Sequence, residues 1–294
     1  MTALVSFGIF IFVIIILLGL PLLFIRVIYP GLLRKKPSFA IITAMFFVLL
    51  GFLTALFIFQ SAISIAMVSF SALMLLPFVV KFLDTENDQK VNPEIKTQTD
   101  VILPTQKRQW LYARSLAEIF TRHERLIQFY IFLFAGMAIM YTLIFAVFPP
   151  SITNNAFSDQ LALLQPRGSF VVPDLFWQIL TNNIQLSFVA FALSVFYGSG
   201  SILILSYNAS IAGVLYGASF RTLLYGTQPF AQNIFLFLPH TIIEIVGYLL
   251  AAVAGGILIN GMYKENVRDS IIIFAFALAL IILGAWVEII VPFL

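Results

Sequence analysis

The stretch from residue 38 to residue 59, SFAIITAMFFVLLGFLTALFIF, decides the fold class. It contains no charged residue, and apolar side chains would cover every face of a helix formed by it. A run of about 20 apolar residues is what an α-helix needs to cross the ~30 Å hydrocarbon core of a bilayer. A transmembrane β-strand would instead be short and would alternate polar with apolar residues. The stretch therefore predicts a membrane-spanning helix.

Other stretches of the chain share this character, so the sequence predicts an all-α, polytopic transmembrane bundle of about eight spans. Of the 294 residues, 61% are hydrophobic and 10% are charged. A soluble domain averages about 45–50% apolar and about 25% charged residues. The predicted segments are 3–25, 38–59, 62–80, 126–148, 176–197, 201–222, 239–259 and 270–292.

One part of this assignment has an alternative. Residues 176–222 could form a single span plus a re-entrant hairpin, which would give seven spans in total. Irregular backbone at membrane depth has to be buried in protein. By contrast, Gly198-Ser199-Gly200 offers a tight turn between two runs that are each long enough to span. The sequence therefore favours eight spans.

A long polar stretch divides the chain into a three-helix membrane unit at 1–80, a cytoplasmic linker at 81–125 and a five-helix membrane domain at 126–294. We expect residues 81–104 to be irregular. Residues 106–126 repeat apolar side chains at helical spacing, which predicts an amphipathic helix lying on anionic lipid. The alternative is an N-terminal extension of the fourth spanning helix. The lipid-facing basic side chains would be Lys107, Arg108, Arg114, Arg122 and Arg125.

Positive charge predicts the orientation, because Lys and Arg collect on the cytoplasmic side. With eight spans and an external N-terminus, the inner segments are 26–37, 81–125, 198–200 and 260–269. They hold fourteen of the sixteen Lys and Arg residues. We therefore expect a multi-pass protein of the cell membrane with both termini outside and an external loop at 149–174.

The C-terminal half carries polar residues inside its apolar segments, where they are costly and usually face the bundle interior. His240 and Glu244 are four residues apart, so they share a helix face and could hold a proton, bind a cation or satisfy each other. The favoured interpretation is structural packing; an ion site, or contact with a lipid or partner, stays open. Glu288 lies near the end of the eighth segment. The candidate polar cluster is Asn182, Asn183, Asn208, His240 and Glu244.

Small residues predict close helix packing in the same half. Gly213 and Gly217 form a GxxxG pair, and this motif is common in apolar helices. Gly255 and Gly256 mark the seventh segment in the same way.

The residues offer little for catalysis. The chain has no cysteine and two histidines, and a zinc site usually takes three protein ligands. No phosphate-binding glycine pattern or nucleic-acid signature occurs. The sequence therefore predicts a protein that is not an enzyme, with no cofactor or metal and no nucleic-acid partner.

Two stretches carry a family resemblance: TNNIQLSFVAFALSVFYGSGSILILSYNASIAGVLYG at 181–217 and LPHTIIEIVGYLLAAVAGGILINGMY at 238–263. Their Asn-Asn, Asn-x-x-x-x-Gly and Pro-His-x-x-x-Glu elements resemble the stage II sporulation protein M family of integral membrane proteins, over about 126–294. Thr241 departs from this pattern, since the family commonly has Gly there. The unit at 1–80 is not part of the family core.

The resemblance implies a five-span core that starts inside and ends outside. In spore-forming bacteria, the founding member of this family acts as a membrane scaffold that holds cell-wall-degrading enzymes, so the resemblance implies a scaffold role. Relatives also occur in organisms that never sporulate. The leading hypothesis is a non-enzymatic scaffold or subunit of a membrane complex, with lipids and protein partners or a second copy as neighbours. The alternative is a permease or channel-like protein for a small solute or lipid.

Overall fold

The computed structural model describes residues 19–27, 36–91, 116–164, 172–225, 230–259 and 264–290, and its regular structure there is helical. The helices are α1 (Leu20–Val27), α2 (Phe39–Ile58), α3 (Ile63–Val91), α4 (Leu116–Arg122), α5 (Glu124–Val147), α6 (Pro150–Ala156), α7 (Ser158–Leu163), α8 (Val172–Tyr197), α9 (Ser201–Tyr225), α10 (Phe230–Ile259) and α11 (Lys264–Ile290).

Seven helices in the described ranges are long and apolar enough to cross a membrane, which confirms the prediction of an all-α polytopic bundle. These spans correspond to the second to eighth predicted segments. The first predicted segment lies largely outside the described residues, which include only its end in α1. The spans are Phe39–Ile58, Ile63–Thr85, Glu124–Val147, Leu175–Tyr197, Ser201–Thr222, His240–Ile259 and Glu265–Ile290.

Residues 176–222 form two long helices, α8 and α9, joined by a three-residue turn. Gly198 begins the turn with φ of 65°, in the left-handed region that glycine adopts without strain. Since each helix contains a stretch long enough to span, the arrangement agrees with two spans here and not with a re-entrant hairpin.

The spans pack around one apolar core. Helix α10 lies against α11 and α8, whereas α5 lies against α9 and α2, and α3 pairs with α2 and also touches α9. Two glycines let the backbones approach closely. A Cβ at Gly51 would lie 2.5 Å from the Ser71 hydroxyl, and one at Gly136 would overlap the carbonyl oxygen of Ile41. The N-terminal pair α2 and α3 is thereby joined to the C-terminal helices.

The linker differs from its prediction over residues 81–91, which we expected to be irregular. Helix α3 continues through them to Val91. Once a helix has nucleated, each added residue gains one backbone hydrogen bond. A spanning helix can therefore extend as a polar helix beyond the apolar layer.

The described part of the predicted amphipathic helix is an extension of the fourth spanning helix. The His123 N–H donates to the Ile119 carbonyl at 3.3 Å, and the Ile127 N–H donates to the His123 carbonyl at 3.0 Å. These bonds carry the helical ladder from α4 into α5. Lys107, Arg108 and Arg114 lie outside the described residues.

The predicted external loop contains two short helices that are buried against the bundle. Helices α6 and α7 contact α3, and α7 also contacts α9. Thr153, Ala156, Phe157 and Gln160 in this segment are fully buried. Below, the "loop end" is the end of the bundle that carries α6 and α7, and the "turn end" is the end that carries Gly198.

Candidate functional site

The predicted polar cluster has its centre at Asn183, in the loop-end half of α8. Its Nδ2 donates to Glu244 Oε1 on α10 at 2.6 Å. Its Oδ1 accepts a hydrogen bond of 2.8 Å from the hydroxyl of Tyr248, one turn beyond Glu244. Asn183 is buried, so both ends of its side-chain amide are used in joining α8 to α10.

A second carboxylate lies beside this centre. Glu244 passes over Gly284 on α11, where a Cβ would lie 2.6 Å from Glu244 Cγ. Glu288 is one turn further along α11 than Gly284, so it lies on the same helix face. Two acidic side chains, from α10 and α11, therefore share the site, and both are half-buried.

The other members of the predicted cluster lie at the edge of this site or apart from it. Asn182 is exposed, and its Nδ2 is 3.4 Å from Asn183 Oδ1. His240 is buried one turn before Glu244 on α10. Asn208 donates to the Ile204 carbonyl of its own helix, α9, at 2.9 Å. Asn208 thus lies outside the α8–α10 contact.

Tyr248 is a member that sequence reasoning missed. Its spacing of four residues from Glu244 places it on the same helix face, and this was the available signal. Since tyrosine is common in apolar segments, the spacing alone did not separate a hydrogen-bonding tyrosine from a packing one.

A separate set of polar bonds, the polar seam, runs between α3, α5, α7 and α9. Ser64 donates to Gln160 Oε1 at 2.8 Å, and Gln160 Nε2 donates to the Ser210 hydroxyl at 2.9 Å. The hydroxyls of Tyr141 and Ser206 are 2.9 Å apart. All five side chains are buried. The seam holds α7 inside the bundle and ties the N-terminal pair to the domain that follows.

Arg122 belongs to an ion cluster at the turn end, although we expected it on the lipid surface. It contacts Glu265 at 2.8 Å and Asp269 at 3.1 Å. His123 Nε2 and Arg268 lie 3.3 and 3.2 Å from Asp269, which is fully buried. Burial would lower the pKa of the Arg122 guanidinium, but its bonds to the two carboxylates raise the pKa above its usual value.

A buried carboxylate is retained only with charged or hydrogen-bonding partners. The need to pair Asp269 therefore explains why Arg122 turns inward. Arg125, the next predicted lipid-facing residue, is half-buried.

Three of the four predicted packing glycines lie at close helix contacts. A Cβ at Gly213 would overlap Tyr141, and one at Gly217 would lie 2.8 Å from the Phe145 Cβ, so the GxxxG pair faces α5. A Cβ at Gly255 would overlap the Phe191 carbonyl on α8. Gly256 differs, since a Cβ there would make ordinary contacts, the nearest at 3.4 Å.

A lateral groove of about 580 Å³ lies between α5, α9 and α10. Its walls are almost wholly apolar and include the exposed side chains of Ile139, Phe220 and Val246. In the described ranges, no three His, Cys, Asp or Glu side chains are grouped in a way that could hold a metal ion.

The fold and the buried polar sites define a polytopic helical membrane protein. Residues 126–291 match the family described as Stage II sporulation protein M. Because this match covers more than half of the chain, the protein belongs to that family. The match begins after the N-terminal pair α2 and α3, so these helices lie outside it.

A relative with a curated sequence is an uncharacterized protein of Methanocaldococcus jannaschii. It is 30% identical over 126 residues, which are 39% of this chain and 68% of the relative. No solved structure matches the chain.

Proposed function

We propose that this protein is a non-enzymatic scaffold or subunit of a larger complex in the cell membrane. The observation that carries the proposal is the way its buried polar groups are used. Asn183, Gln160 and Tyr141 each bond to a side chain on another helix. Such bonds fix helices in one arrangement. A rigid body of this kind suits a protein that positions others, whereas a carrier has to rock one helix group against another.

The lateral groove favours the proposal that a membrane-embedded partner binds this protein. Exposed apolar side chains are expected on any surface that faces lipid, so its composition carries no argument. The concave shape of the groove does favour a partner helix, because helices associate in membranes through close van der Waals packing. The occupant that we propose is a spanning helix of a partner protein, packed between α5 and α10.

Photo-cross-linking in native membranes tests this proposal. A photoreactive residue at Ile139 or Val246 should give a discrete adduct with one partner protein. The control position is Leu283, which is at least as exposed but lies on α11, outside the groove. Native purification followed by mass spectrometry should recover the same partner. Recovery of the protein alone in several mild detergents, with only lipid adducts at the groove, would sink the proposal.

The second candidate function is permeation of a small solute or lipid. Permeation of a cation or a proton is the form of this function that is simplest to test. The two half-buried carboxylates Glu244 and Glu288 favour it, since acidic residues inside spans often mark ion pathways. In reconstituted liposomes, the protein should then raise proton or monovalent-cation flux, and Glu288→Gln should abolish the increase while Asn182→Ala keeps it. Liposomes as tight as protein-free ones would exclude this cation and proton case.

A further inference from the structure

Three buried hydroxyls meet at the turn end without a hydrogen bond of normal geometry. They belong to Tyr130 on α5, Ser194 on α8 and Ser201 on α9. Each of the three residues is fully buried, and the two serine hydroxyls face the Tyr130 hydroxyl. Three helices therefore direct polar oxygens into one interior point.

Neither Ser194 nor Ser201 donates its hydroxyl to a carbonyl of its own helix. Ser and Thr inside helices commonly donate to the carbonyl four residues earlier. Thr54, Ser71 and Ser187 do so, at 2.7 to 2.9 Å. Ser194 makes no such bond, and Ser201 is the first residue of α9, so its own helix has no carbonyl four residues earlier. Their hydroxyls can therefore still form hydrogen bonds near the Tyr130 hydroxyl.

The helix packing leaves space beside the Tyr130 hydroxyl. Gly256 on α10 forms part of the wall, and a Cβ added there would lie 3.9 Å from the Tyr130 hydroxyl and 3.4 Å from Leu83. Both are ordinary contact distances, whereas a Cβ at the neighbouring Gly255 would overlap α8. The open position at Gly256 thus lies beside the Tyr130 hydroxyl.

A buried hydroxyl without a partner costs free energy, because it gives up its hydrogen bonds to water and gains none in return. Interior water typically makes about three hydrogen bonds to groups of this kind. We propose that Tyr130, Ser194 and Ser201 form a binding site for a single structural water molecule that bridges α5, α8 and α9 beside Gly256.

The chemistry of the site favours water over a cation. A cation taken out of water needs a negative partner to offset its lost hydration. The groups that act on the Tyr130 hydroxyl are the two serines, with no carboxylate of the described residues among them. Three neutral hydroxyls can both donate and accept, which matches a water molecule.

Substitution of Gly256 gives a first test. A Ser hydroxyl at this position can replace the bonds of a displaced water, whereas an Ala methyl group cannot. Gly256→Ser should therefore unfold at a higher temperature than Gly256→Ala, although Ala has the higher intrinsic helix propensity. Ala275→Ser, on the exposed side of α11, is the control. It measures how much an Ala-to-Ser exchange changes the unfolding temperature at a helix position away from the proposed site. An Ala variant at least as stable as the Ser variant would overturn the proposal.

A high-resolution structure of the unmodified protein in lipid nanodiscs gives a second test that needs no variant. The proposal expects a density peak within hydrogen-bonding distance of all three oxygens, about 2.7–3.2 Å away. Direct hydroxyl–hydroxyl bonds with no peak, or a peak at the shorter distances of a coordinated cation, would each reject it.

Discussion

The Nδ2 of Asn183 lies 2.6 Å from Oε1 of Glu244 and joins α8 to α10 at membrane depth. The same amide accepts a bond from Tyr248 on its other side. One side chain thus satisfies two polar groups that would each be costly alone in an apolar bundle. The contact also fixes the Glu244 side chain, which packs against Gly284 on α11.

Asn183→Ala should lower the free energy of unfolding by about 1–3 kcal/mol, because it removes the partner of the buried Tyr248 hydroxyl and of the half-buried Glu244 carboxylate. The neighbouring Asn182→Ala is the matched control and should change stability little, since Asn182 is exposed. Thermal unfolding in detergent, followed by tryptophan fluorescence, measures both variants. Equal losses for the two variants would show that the α8–α10 bond is not what stabilises this region.

Gln160→Leu should loosen α7 from the bundle, because Ser64 and Ser210 lose the amide that bridges them. The chain has no native cysteine, so single introduced cysteines can report the change. Cysteine at the buried Ala156 should resist a thiol reagent in the native background and react in the Gln160→Leu background.

Cysteine at the exposed Ser158 should react in both backgrounds and serves as the control. If Ala156→Cys stays protected after Gln160→Leu, the polar seam does not hold α7 in place.

The spanning helices were predictable because the bilayer itself imposes the rule. A segment such as 38–59 has to satisfy its backbone internally, and an apolar helix of that length does so whatever its neighbours are. The partners of the polar residues were not predictable. Asn183 and Glu244 are 61 positions apart, and the sequence of each helix places apolar residues on all of its faces. Periodicity therefore did not indicate which face meets which helix.

The burial of α7 was missed for a related reason. The segment around Gln160 reads as a loop, since it follows two prolines and contains polar residues. What buries it is the pairing of one amide with serines on α3 and α9, contributed from positions 96 and 50 residues away. Hydrogen bonds between residues so far apart in the chain produce no local sequence pattern.

Positive charge predicts the orientation of the bundle, and the cysteine-free chain allows a direct measurement. Ser158→Cys, at the loop end, should react with a membrane-impermeant thiol reagent added to whole cells. Thr121→Cys, exposed at the turn end, should react only after the cells are opened. The reverse pattern would place the loop end inside and would make the charge-based orientation wrong.

Arg122→Gln should be the most damaging of these variants, because it removes one partner of the fully buried Asp269 and leaves that carboxylate less compensated. Breaking a buried ion pair in this way typically costs about 3–5 kcal/mol. Arg122 is partly exposed, at 27% of its side chain, which screens the pair and places the expected loss at the lower end of that range. Thermal unfolding again supplies the measurement.

The double variant Arg122→Gln with Asp269→Asn should recover part of this loss, since it removes the buried negative charge together with its partner. Recovery would identify the uncompensated carboxylate as the cause, because neutralising Asp269 helps only if its charge is the destabilising element. Additive losses would contradict this account and would assign the effect of Arg122→Gln to its ion pair with Glu265 or to packing.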